Sequence, residues 1–214
     1  MAFNLYTFFR SSAAYRTRIA LNVKGVDYES IPVHLRTKEH RSADYRALNP
    51  QALVPALDHD GTVIPQSLAI IEYLEQQHPD PPLLPESPRD RAMVRAMAQL
   101  IASEMHPLCN LRVLLYLKNE LGHADDEVNA WYHHWVAEGF GSLEVMAARY
   151  SADGKTCFGD SITLADICLV PQHFNAERFD CDLTPYPTLQ KINAALIERP
   201  AFAAAHPSRQ ADAE

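Results

Sequence analysis

An α/β domain followed by an all-α domain is the fold class that three features of the sequence predict. Strand-like and helix-like segments alternate over residues 1–78, a proline-rich break occupies 79–88, and residues 89–214 carry helical patterning throughout. The first strand spans residues 4–9, apolar and β-favouring, and stops at Ser11-Ser12, where helical spacing begins at once. Gly25 ends that helix, read as the residue just past its C-terminus. A second strand over 28–34 and a short helix over 39–47 follow. Residues 54–57 and 62–64 flank Asp58-His59-Asp60-Gly61, a hairpin signal, and a helix over 67–77 completes the unit.

This βαβ–α–ββα order is that of a thioredoxin-like domain. It holds no Cys-x-x-Cys, and no cysteine precedes Cys109, so disulfide exchange by the protein's own thiols is not expected. Pro79, Pro81, Pro82, Pro85 and Pro88 make the break a semi-rigid linker. Ser87-Pro88 then supplies a helix cap followed by a first-turn proline, opening a long helix through about residue 117. A further helix is read over 126–148. Thr163-Leu164-Ala165-Asp166 resembles a capping box, with Asp where Glu or Gln is usual, and opens a buried helix to about Arg178. Thr163 and Asp166 therefore take a structural role.

The 214 residues, 47% hydrophobic, suffice for one large or two small domains with a core. A net charge of -8 argues against nucleic acid as the main partner. No apolar run approaches the ~20 residues that span a bilayer. Met1-Ala2-Phe3-Asn4-Leu5 shows no export signal, and Cys109, Cys157, Cys168 and Cys181 show neither close pairing nor zinc spacing. A reducing cytoplasm is the expected compartment. His123, His133 and His134 lack a carboxylate or cysteine to complete a ligand set, so no metal is expected.

Ser11 and Ser12 place two hydroxyls at a helix N-terminus, where unpaired amides and the positive dipole end favour an anion, with Arg10 and Arg16 on either side. A thiolate or carboxylate would be held there; a plain serine cap with surface arginines would give the same pattern. Ser67 stands at a second helix start, after an extended segment entered through Pro50.

These motifs, in this order, resemble a glutathione S-transferase. Arg10-Ser11-Ser12 through Arg16-Thr17-Arg18-Ile19-Ala20-Leu21 is similar to the zeta class, which includes maleylacetoacetate and maleylpyruvate isomerases. Gln66-Ser67-Leu68-Ala69-Ile70-Ile71-Glu72-Tyr73-Leu74-Glu75, His106-Pro107-Leu108, Leu169-Val170-Pro171-Gln172 and Asp182-Leu183-Thr184-Pro185-Tyr186-Pro187 extend the similarity almost end to end. The chain departs from the commonest zeta pattern at Ala13, where the family has cysteine, and at Tyr15, where it has tryptophan. A mechanism in which that cysteine attacks substrate is thereby removed; the hydroxyl–helix device is not.

The resemblance implies the glutathione S-transferase fold, glutathione as cofactor, and a site assigned residue by residue. Val54 would pair its backbone with the cysteinyl part of glutathione, with Pro55 cis. Gln66 and Ser67 would bind the γ-glutamyl carboxylate. His40 falls where the family contacts the glycyl end, though a solvated surface histidine reads equally well. His106 and Asn110 are polar neighbours of the tripeptide. A free thiol has a pKa of roughly 8.5; a helix N-terminus contributes up to ~2 kcal/mol and a hydroxyl donor ~1.5 kcal/mol, together enough to make thiolate the major form at pH 7. Ser11 or Ser12 would supply the donor.

The implied substrate is a dianionic cis-enedicarbonyl acid, whose planar carboxylates favour arginine. Arg10, Arg112 and Arg178 are the substrate-binding candidates; a structural ion pair for Arg178 with Glu177 or Asp182, and simple exposure for Arg112, stay open. The implied activity is glutathione-dependent cis–trans isomerisation of maleylacetoacetate to fumarylacetoacetate in tyrosine-type catabolism. Alternatives are maleylpyruvate isomerisation in gentisate degradation and a transferase or dehalogenase of small α-halo acids. A non-catalytic binding module would not need both the Arg10-Ser11-Ser12 and Gln66-Ser67 elements. The family also implies a homodimer.

Overall fold

The computed structural model describes residues 3–214; Met1 and Ala2, part of the N-terminal segment in which no export signal is expected, lie outside them. The chain forms two compact units, one running to Pro82 and including Glu198–Glu214, the other Leu83–Ile197. Among the described residues no helix is long and apolar enough to cross a membrane.

In the first unit β1 (Phe3–Thr7), α1 (Ser12–Val23) and β2 (Tyr28–Pro32) form a βαβ turn. Gly25, at φ 63°, takes the left-handed position that stops α1 after Lys24. A 3-10 turn (Glu39–Arg41) and α2 (Ala43–Leu48) replace the single helix expected over 39–47. The interruption has a local cause: Ser42 is extended and its hydroxyl caps α2 by accepting from the Tyr45 amide at 3.2 Å. The hairpin β3 (Ala56–His59) and β4 (Thr62–Pro65) turns at Asp60-Gly61, and α3 (Ser67–Gln77) follows. The sheet order is β2-β1-β3-β4, with β1 parallel to β2 and antiparallel to β3, and β3 antiparallel to β4.

Residues 198–214, grouped with the helical domain on chain order, pack instead within the first unit as α10 (Pro200–Ala205) and a 3-10 turn at Pro207–Arg209. Arg18 is the reason. Its guanidinium, fully buried, donates from Nε to the Ala205 carbonyl at 3.1 Å, from Nη1 to Thr7 Oγ1 at 3.0 Å and from Nη2 to the Phe9 carbonyl at 2.9 Å. Burial pulls it down to about 10, so it remains charged at neutral pH. Asn22 to the Ala201 carbonyl and the Phe9 amide to Asp212 add two further ties.

The second unit is helical: α4 (Pro88–Gln99), a π-helical segment (Leu100–Met105), α5 (His106–Leu108), α6 (Leu111–Asn119), α7 (Asp125–Tyr150), α8 (Leu164–Arg178) and α9 (Pro187–Ile197). The long helix expected through residue 117 is broken. Pro107 cannot donate to a preceding carbonyl and its ring crowds the turn before it, which the widened π segment accommodates. Asn110 then starts α6 afresh, its side chain accepting from the Arg112 amide at 3.1 Å. Met105 packs against Gly139 of α7, its terminal methyl filling the space that a Cβ at that position would take.

The centre of the unit is α8, buried from Leu164 to His173. Asp166, wholly buried, accepts from the Cys157 amide (2.6 Å), the Thr163 amide (2.7 Å) and the Thr163 hydroxyl (2.9 Å), which ties the 151–163 loop to the helix start. No disulfide joins the four cysteines.

Removing the Arg18 hub by Arg18→Met should leave several buried acceptors unpaired and cost about 3 kcal/mol of stability. Urea titration would measure that loss. Hydrogen exchange should quicken first in residues 198–212.

Candidate functional site

The strand directions gather the site. Thr7 pairs with Pro32, Tyr6 with Ala56, and Ala56 with Pro65, so β1, β2 and β4 end, and β3 begins, at one end of the sheet. The segments leaving that end carry Arg10, Ser11 and Ser12, then Val54, then Gln66 and Ser67. The 3-10 turn bearing His40 folds back on the β2 exit: the Glu39 amide donates to the His34 carbonyl at 3.1 Å, and its carboxylate accepts from the His34 amide at 2.7 Å. Below lies an apolar cluster of Phe8, Phe9, Val33, Tyr45 and Val54.

Ser11 is the N-cap of α1, with its hydroxyl oxygen accepting from the Ala14 amide at 3.2 Å. That contact uses a lone pair and leaves the hydroxyl hydrogen to donate outward. Ser12, the first helical residue, is buried, whereas Ala13, at the family's cysteine position, is partly exposed. The Val54–Pro55 peptide is cis. The preceding Leu53 carbonyl is fixed by Tyr45 Oη at 2.7 Å and Asn49 Nδ2 at 2.8 Å. Desolvation pushes the Tyr45 phenol up to about 12, which keeps it a neutral donor.

Gln66 has φ 72° and ψ 117°, a sparsely populated backbone state for a non-glycine residue costing ~1–3 kcal/mol. Its side chain gives α3 no cap; Nε2 instead donates to Gln51 Oε1 at 2.8 Å. Ser67, the first residue of α3, is 5% exposed, and its hydroxyl oxygen accepts from Arg16 Nη1 at 3.1 Å. Arg16 is 2% exposed. The reading of Arg16 as a surface arginine is thus corrected: it lies in a helix stripe buried from Ala14 to Leu21, where burial of α1 against α3 and α10 encloses it.

Arg10 stands over the Phe9 ring at 4.9 Å and meets the Glu214 carboxylate at 3.7 Å. His34 Nε2, at 2.7 Å, and Arg36 share that carboxylate. The sequence carries no local signal for this cluster. His40 is half-buried, and desolvation, then Arg41, lowers its pKa and favours neutral imidazole.

The remaining candidates belong to the second unit. His106 Nε2 and Asn110 Nδ2 are 3.4 Å apart, while Asn110 Oδ1 is engaged in capping α6. Arg112 is exposed in the first turn of α6. Arg178, exposed at the end of α8, donates to Asn175 Oδ1 at 2.9 Å and stacks over the Phe179 ring at 4.9 Å. Glu177 engages His173 at 3.4 Å, and Asp182 accepts from the Thr184 hydroxyl at 2.7 Å.

A β2-β1-β3-β4 sheet whose first and last helices begin at one end, beside a cis-proline, with a helical unit following, defines a glutathione S-transferase fold. Residues 1–76 match the family model for the glutathione S-transferase N-terminal domain. A probable maleylacetoacetate isomerase of Vibrio cholerae is 50% identical over 100% of this chain and 99% of its own length. The holo structure of a maleyl pyruvate isomerase, described as a bacterial zeta-class glutathione S-transferase, is 46% identical with a TM-score of 0.96, covering 99% of this chain and 100% of that one. The maleylacetoacetate isomerase of Methylobacterium extorquens AM1, solved with bound malonate and glutathione, is 38% identical with a TM-score of 0.94 over 99% of each chain. The chain belongs to the zeta-class glutathione S-transferase family.

The Glu214 carboxyl is held below its ordinary value of 4.5, first by the His34 hydrogen bond and then by Arg36. A carboxyl depressed in the folded state contributes stability above the unfolded value and loses it as pH falls through the lower folded value. Carbon-13 NMR of the Glu214 side chain should show a midpoint below 4.5 that rises in His34→Ala.

Proposed function

We propose that this protein catalyses the glutathione-dependent cis–trans isomerisation of maleylacetoacetate to fumarylacetoacetate, a step of tyrosine-type aromatic catabolism. The observation that carries the reading is the meeting of two helix N-termini, the Ser11 cap and Ser67, with Val54 and its cis-proline at one sheet end. That donor set suits a tripeptide thiol with a carboxylate: a hydroxyl hydrogen for the sulfur, backbone groups of Val54 for the cysteinyl amide, and the start of α3 for the γ-glutamyl end. Relatives named maleylacetoacetate isomerase, 42–50% identical over nearly the full chain, support the same reading.

Glutathione, when bound, would supply a thiolate nucleophile for reversible addition to the cis double bond. The chain's own groups do the rest. Ser11 donates its hydroxyl hydrogen toward the sulfur position, and the α1 dipole lowers the cost of negative charge there. Ser12 shares the same helix start. Gln66 and Ser67 orient the γ-glutamyl carboxylate, His40 faces the glycyl end, and His106 and Asn110 border the peptide. Arg10, Arg112 and Arg178 would bind the substrate carboxylates and offset negative charge developing on the substrate's carbonyl oxygen. Arg10 already holds a carboxylate, that of Glu214, which illustrates the chemistry it offers.

Maleylpyruvate is the second reading. The 46% identity and TM-score of 0.96 to the maleyl pyruvate isomerase favour it. A reducing cytoplasm fits the four free cysteines, and the family resemblance implies a homodimer.

Side-by-side turnover of both acids tests the proposal: trans product should form only with glutathione present. Equal product without glutathione overturns it. Ser11→Ala should raise the pKa of the bound thiol by about one unit and, through the smaller thiolate fraction, lower kcat/KM about twofold at pH 7. Ultraviolet titration of the thiolate in the binary complex checks the first, steady-state kinetics the second.

A further inference from the structure

Arg16 is a cation on the second turn of α1, 2% exposed, whose Nη1 donates to the hydroxyl oxygen of Ser67 at 3.1 Å. A hydroxyl that accepts from a cation spends a lone pair on it and turns its own hydrogen away, toward an acceptor on the other side. The same bond polarises the hydroxyl and makes it a stronger donor. Ser67 opens α3, so its hydroxyl stands at the positive end of the helix dipole, in a first turn that Gln66 leaves without a side-chain cap. Positive charge from the guanidinium and from the helix end thus meets at one oxygen. A neutral ligand group gains little there, whereas a carboxylate gains from both.

Helix geometry makes the contact specific. Positions i and i+2 of an α-helix differ by ~200°, so Arg16 and Arg18 leave α1 in nearly opposite directions. Arg18 serves the backbone of the β1 exit and α10; Arg16 is aimed at the start of α3. Neither replaces the other.

We propose that Arg16 is a positioning residue for carboxylate recognition: it orients and polarises the Ser67 hydroxyl so that the site selects the γ-glutamyl carboxylate of glutathione. This rests on the assignment of Ser67 to that carboxylate under the proposed function.

The test pairs protein variants with a ligand variant, namely glutathione and its analogue carrying hydrogen in place of the γ-glutamyl α-carboxylate. Calorimetric affinities for both are measured on wild type, Ser67→Ala, Arg16→Gln and the double variant, each checked for folding by circular dichroism. Ser67→Ala and Arg16→Gln should each cut the preference for glutathione over the analogue about tenfold, leave analogue affinity unchanged, and not add in the double variant. In kinetics, Arg16→Gln should raise KM for glutathione with kcat at saturation nearly unchanged. Should Arg16→Gln not fold, Arg16→Lys, which keeps the charge without the planar fork, should show the same loss to a smaller degree.

A wild-type preference in the folded Arg16 variant, with Ser67→Ala losing it, overturns the role of Arg16 alone. Equal weakening of both ligands by Arg16→Gln also overturns it, as a merely structural residue would behave so. A wild-type preference in Ser67→Ala removes the assignment of Ser67 itself.

Discussion

Two strands running the same way at opposite sides of an antiparallel β3 are the constraint from which this site follows. Because β1 and β4 both oppose β3, the helices that leave them, α1 and α3, must start at the same end of the sheet. Each start exposes amides and a positive dipole end. The loop entering β3 arrives at that end as well and delivers Val54. Donors from three separate segments are thereby presented at one sheet end without any of them needing a long flexible loop.

The chain is acidic as a whole, with a net charge of -8, yet it buries two arginines in α1. Arg16 and Arg18 are buried two residues apart and do different work: one holds a hydroxyl at the start of α3, the other holds carbonyls of the β1 exit and of α10. Burying a guanidinium is tolerable when its donors are met by well-placed oxygens. The β1 exit that leads to Arg10, Ser11 and Ser12 is thus braced by Arg18 through Thr7 Oγ1 and the Phe9 carbonyl. Arg10, by contrast, is surface-facing and shares Glu214 with His34 and Arg36.

In the second unit the same economy is visible around proline and buried carboxylate. Pro107 sits beside a widened helical segment that ends where Asn110 restarts the chain as α6, which sets Arg112 in the first turn of a new helix. Asp166 satisfies three donors from the loop and the helix start at once, anchoring α8 and therefore the position of Arg178 along it.

What the sequence determined by itself is what neighbouring residues decide among themselves. The Ser11 cap, the Gly25 stop, the Asp60-Gly61 turn, the Ser87 and Thr163 helix starts and the exact span of α3 were all legible, since capping and turn chemistry act over three or four residues. Asn110 was legible in principle as a cap after proline, but helical periodicity on both sides masked it. The tertiary structure alone decided that Arg16 is buried against Ser67, 51 positions away, that Arg18 reaches Ala205 across 187 positions, and that Glu214 lies on Arg10. A charged side chain reads as surface-exposed until the partners that compensate its burial are known, and those partners are brought near only when the sheet and helices have packed.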